Sequence, residues 1–180
     1  RDIMVKKMKR ELFCKILNSE MQLATGCTEP AAVALCAAYA SEQLGTEVAE
    51  VHVLASVNII KNAMSAGIPG ISNTGINYAA ALGAIGGVVE RQLQVIDSTS
   101  EKEREKAVKL VKDGHVHMGM KNTEEKLYIE VEVRSADGHQ AKAIIATAHT
   151  NLVYLEKDGV CLLEKQQLTG TEKISPDLVE

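Results

Sequence analysis

Apolar residues in segment 3–23 return near helical spacing, at Met4, Met8, Leu12, Ile16 and Leu23, with Lys and Glu between them. The spacing predicts an amphipathic helix. ATGCTEP (24–30) interrupts it. Gly26 can end that helix, Thr28 can cap the next, and Pro30 suits a first turn because its missing N–H would be unpaired there. An alanine-rich helix, AAVALCAAYASEQL, is then expected up to Gly45. VAEVHVLAS (48–56) alternates and is rich in Val, so it reads as a strand. VNIIKNAMSAG reads as a short helix, and IPGISNTG (68–75) as a loop of turn formers and small polar residues. INYAAALGAIGGVVERQLQVI predicts one continuous helix with an Ala/Gly face for close packing. STSEKEREKAVKLVKDG predicts a charged amphipathic helix capped at Ser98 or Ser100 and ending at Gly114. The last third alternates in strand fashion, and ADGH (136–139) and KDGV (157–160) mark hairpin turns.

Helices first and strands afterwards predict an α+β fold: Ala/Gly-rich helices packed with an antiparallel sheet formed mostly by the C-terminal third. Segment 48–56 is expected to join that sheet. Residues 1–170 read as one domain, the N-terminal part of a longer catalytic chain, and 171–180 as a polar tail or linker. At 180 residues the chain is long enough to bury a core without disulfides. Aromatics are only 3%, so the core must rest on Ala, Val, Ile, Leu and Met, and base-stacking platforms are not expected. A net charge of -4 offers no broad attraction to nucleic acid or anionic membranes. The longest uncharged stretch is broken by Pro69 and glycines, which argues against a membrane span. Four cysteines, at 14, 27, 36 and 161, show no paired spacing. A reduced, cytoplasmic setting is the expectation.

Three stretches carry candidate chemistry. Cys27 falls in a turn just before a helix N-terminus, where backbone N–H groups and the helix dipole favour a thiolate. Such a thiolate can act as base, nucleophile or metal ligand. Thr28 and Glu29 follow it, and each also has an ordinary reading, as a cap and as dipole complement. SVNIIKN (56–62) offers a hydroxyl, two amides and Lys61, which reads either as a surface charge or as a Schiff-base or anion partner. IPGISNTG allows backbone N–H groups to converge on a carboxylate or phosphate, without the P-loop pattern. Cys14, Cys36 and Cys161 read as buried hydrophobes. His149 reads as structural, at a strand end. His115 and His117 alternate on a strand, but no neighbouring carboxylate or Cys motif in the sequence makes them a metal site.

TGCTEPAAVAL, SVNIIKNAMSAGIPG, GINYAAALGAIGG and AHTNLVYLE, in that order, resemble the L-cysteine desulfidase group of the serine dehydratase alpha-chain-like family. The resemblance implies a cytoplasmic β-eliminating lyase that converts L-cysteine to pyruvate, ammonia and sulfide, or L-serine to pyruvate and ammonia. It implies a [4Fe–4S] cluster in the full-length protein and no pyridoxal phosphate. By position it makes Cys27 a cluster ligand or the α-proton base, with Glu29 and Lys61 as further catalytic candidates. It assigns Thr28, Ser56, Asn58, Asn62, Pro69, Gly70, Ser72 and Thr74 to the substrate. Ile71 follows the I-P-G where many relatives have Thr. Only Cys27 matches a cysteine motif, so a cluster needing three or four thiolates is not expected within this chain alone. The implied partners are a small amino acid and the C-terminal half of the same protein, with a homodimer compatible and neither nucleic acid nor membrane. The rival readings are a non-catalytic amino-acid-binding or assembly domain that keeps the fold, and a pyridoxal-phosphate lyase using Lys61.

Overall fold

The computed structural model describes residues 28–65 and 74–165, together with residues 3, 4 and 7, which are helical. The rest of the expected first helix, Cys14, Cys27, Pro69, Gly70, Ser72 and the segment 171–180 lie outside the described residues.

Helix α1 (Thr28–Leu44) opens with Glu29 and Pro30 in its first turn, as the sequence predicts, and stops where Gly45 turns to φ 69°. Gly45 N–H closes the end on Ser41 O at 3.1 Å. Strand β1 (Glu50–Ala55) alternates half-buried and buried positions. Helices α2 (Val57–Ser65) and α3 (Thr74–Gly86) follow. The sequence predicts α3 as continuous to Ile96, but it ends at Gly86. The chain then passes into a short 3-10 segment, Val89–Gln94, interrupted at Gln92 (φ 54°). Gly86 and Gly87 account for the break. Glycine is a weak helix former, and a Cβ on Gly87 would lie 2.5 Å from Gly83 O and 2.7 Å from Ala38 Cβ. Helix α4 (Glu101–Lys112) begins with a capping box in which Ser100 and Glu103 satisfy each other's backbone N–H groups.

Strands β2 (Val116–Met120), β3 (Tyr128–Arg134), β4 (Gln140–Ala146), β5 (Leu152–Lys157) and β6 (Val160–Glu164) complete a six-stranded sheet in the order β2-β1-β3-β4-β5-β6. The fold is α+β, and the sheet is antiparallel except that β1 and β2 run parallel. KDGV forms the tight β5–β6 turn, with Asp158 (φ 48°) and Gly159 (φ 81°) both left-handed.

The buried strand residues Val51, Val53, Ile129, Val131, Val133, Ala143 and Ile145 share one core with α1 and α3. Helix α1 lies across β3, β4 and β5, and residues 32–38 are all buried. The α1–α3 contact is backbone against backbone, since a Cβ on Gly83 would stand 2.1 Å from Ala34 O. Gly83 meets Ala34, Gly87 meets Ala38, and the Ser41 hydroxyl donates to Ala84 O at 2.5 Å, so the two helices pack closely along this stretch.

Candidate functional site

Three pieces of backbone meet at the N-terminal end of α1. The first is the head of α1. The second is α2, whose start is fixed by Ser56. Ser56 is 2% exposed; its hydroxyl donates to Lys126 O at 2.8 Å and accepts from Tyr128 N–H at 3.3 Å, while its own N–H donates to Tyr128 O. The third is the turn between β4 and β5. There Thr147 takes φ 70°, an uncommon conformation for a β-branched residue, which costs roughly 1–3 kcal/mol. Asn151 restrains that turn: its side-chain amide donates to Ala146 O and to Thr147 Oγ1, each at 3.0 Å. Thr147 N–H is tied to Leu127 O at 3.1 Å. His149 projects from this pinned turn.

His149 Nε2 lies 3.0 Å from Thr28 Oγ1 and 3.7 Å from Glu29 Oε1. Asn62 Nδ2 donates to the same Glu29 oxygen at 3.3 Å. The Glu29 side chain is 16% exposed and that of His149 33%, so the pair sits in a sheltered but solvent-connected place. A carboxylate in the first turn of a 17-residue helix is also favoured by the helix dipole. The arrangement joins a hydroxyl, an imidazole, a carboxylate and an amide, the parts of a proton-transfer centre. Asn77, in the first turn of α3, has its side-chain Oδ1 buried without a hydrogen-bond partner among the described residues.

The expected site residues divide unevenly. Thr28, Glu29 and Asn62 come together. Asn58 and Lys61 are exposed on α2. Ser56, expected near substrate, instead anchors main chain with its hydroxyl. Thr74 is the first residue of α3. Cys27, Pro69, Gly70 and Ser72 fall outside the described residues. His149, read as structural in the sequence, is the centre of the cluster. Its motif stands 121 residues from Thr28, and no local pattern announces that meeting.

The described cysteines do not fit a cluster ligand set at this place. Cys36 is sealed in the core, its sulfur donating to Ala143 O at 3.3 Å and Ile129 O at 3.6 Å. Burial pushes its thiol pKa far up, away from the thiolate that iron requires. Cys161 is exposed on β6 opposite Glu156, four residues along β5 from Leu152, or about 13 Å from the His149 turn at ~3.3 Å per residue.

The chain is similar to UPF0597 proteins. It is 44% identical over 164 residues to one from Phocaeicola vulgatus, covering 91% of this chain and 38% of the relative. It is 42% identical over 166 residues to one from Alkaliphilus metalliredigens (91% and 37%), and 39% identical over 171 residues to one from Clostridium perfringens (95% and 39%). This chain thus spans under two fifths of the length of these curated relatives. No family model matches it. No solved structure matches it. The resemblance to the L-cysteine desulfidase group of the serine dehydratase alpha-chain-like family is corrected by these comparisons: relatives that match across nine tenths of the chain are named UPF0597 proteins, and those names state no activity. No described helix is long and apolar enough to cross a membrane.

Proposed function

We propose that the cluster at the head of α1 is the proton-transfer centre of a lyase that eliminates the β-substituent of a small amino acid, L-cysteine or L-serine. The observation that supports this most is His149 Nε2 poised between the Thr28 hydroxyl and the Glu29 carboxylate, with Asn62 steadying the same carboxylate. In this reading neutral His149 takes the α-proton of the substrate. Glu29 stabilises the resulting imidazolium, and Thr28 orients the ring. The electron pair left on the α-carbon forms the α,β double bond as the β-substituent departs as sulfide or water. The enamine tautomerises to an imine, and water hydrolyses it to pyruvate and ammonia.

Substrate binding in this reading draws on the same geometry. The N-terminal end of α1 favours the substrate carboxylate.

The test is pyruvate formation by the full-length protein under anaerobic conditions, with L-cysteine and L-serine in parallel. His149→Gln and Glu29→Gln are expected to lower kcat by about 10²–10⁴-fold, the usual scale for a lost acid–base group. Either variant keeping full activity would overturn the assignment. Binding of either amino acid without pyruvate from the unaltered protein would replace it with the non-catalytic binding domain.

A further inference from the structure

The face of the sheet turned away from the helices carries a second cluster, unrelated to the one above. Glu50 and His52 alternate on β1 and point to that face. His117 is the register partner of His52 on β2, so the parallel ladder brings the two imidazoles together. Their rings stack with centroids 4.6 Å apart and planes 17° from parallel. His52 Nε2 lies 3.1 Å from Glu50 Oε2, and one ligand atom from each of the three residues falls within 4.8 Å of the others.

The nearby cations make their closest contacts with Glu132. Arg134 is the register partner of Glu50 on β3, yet its guanidinium reaches Glu132 at 2.6 Å. Lys142 on β4 leans toward Glu132 too, at 3.8 Å. Both cations are thus directed to the one carboxylate beside the cluster, and the partner seen for Glu50 is His52.

We propose that Glu50, His52 and His117 form a binding site for a borderline divalent cation such as zinc. Two imidazoles and one carboxylate suit that class, and three protein ligands leave a position for water. Binding would require the two imidazoles to rotate out of their stack so that their ring nitrogens converge on the ion with ~2.1 Å bonds. The site has a structural consequence. Strand β2 ends the sheet and pairs only with β1, which the chain leaves through three helices before returning. A metal bound across His52 and His117 would clip that edge strand in place.

The experiment uses chelator-treated full-length protein titrated with zinc against a chromogenic chelator. The unaltered protein is expected to take up one more zinc than His117→Ala, or to hold that zinc at least about 10-fold tighter. Zinc is expected to raise the Tm of the unaltered protein more than that of the variant. Cobalt bound in its place should show ligand-field bands that disappear in His117→Ala. Glu50→Gln, which keeps size and shape, supplies the same comparison should His117→Ala fold poorly. Equal zinc stoichiometry, affinity and thermal shift in the unaltered protein and both variants would overturn the proposal.

Discussion

Cys36 lies wholly inside, its sulfur against the Ala143 and Ile129 carbonyls, while Cys161 stands exposed on β6. Thiol reagents should therefore label Cys161 in the native protein and reach Cys36 only after unfolding. Mass spectrometry of the labelled peptides checks this. Cys36→Ala should cost about 1–2 kcal/mol of stability, seen in a urea titration, because it removes a packed sulfur that the tight core cannot replace. The sequence reading of Cys36 as a small buried hydrophobe holds, because its neighbours in the helix are apolar. The same reasoning misjudges Cys161: alternation in VCLLE looks like a half-buried strand, but β6 is an edge strand with four of its five residues exposed. The meeting of His149 with Thr28 and Glu29 was hidden from the sequence for a related reason. A strand-end histidine is judged by its neighbours, whereas Thr28 and Glu29 reach it only through the packing of α1 across the sheet.

Elements with local signals were legible, and elements shaped by a neighbour were not. The capping box at Ser100 and the left-handed pair Asp158–Gly159 are written in a few adjacent residues. The early end of α3 is not, because its glycines serve α1 as much as their own helix. Gly83→Ala is the sharpest probe of that contact. The new methyl would meet Ala34 backbone at 2.1 Å, and the helices must part, for an expected loss of about 1–3 kcal/mol in chemical denaturation despite alanine's better helix propensity. The β5–β6 turn has its own dependence on acid. Asp158 accepts from Gln140 N–H at 2.9 Å and pairs with His139 Nδ1 at 2.9 Å, which holds its carboxyl below the ordinary value. A depressed carboxyl stabilises the fold above its unfolded pKa, and that contribution disappears as pH falls through the lower, folded one. Asp158→Asn should thus lose less stability than the unaltered protein on acidification below about pH 4, the unfolded aspartate value. Tm measured against pH reads the difference.

At the scale of the whole molecule, α1 is the central strut, packed on three strands below and on α3 beside it. Leu35 is fully buried in it, so Leu35→Ala should destabilise the protein by about 2–5 kcal/mol in urea or thermal melts. The α+β class and the alternation of the sheet were readable from periodicity alone. The parallel pairing of β1 with β2 was not, since a strand's own pattern does not reveal the direction of its neighbour. That long-range order also sets when the proposed site can exist. Glu29 is synthesised more than a hundred residues before His149. The two then meet only once β4 and β5 have closed under α1. A nascent chain therefore carries an inert carboxylate until the sheet is built, and any proton-moving power at this place is switched on by the completion of folding itself.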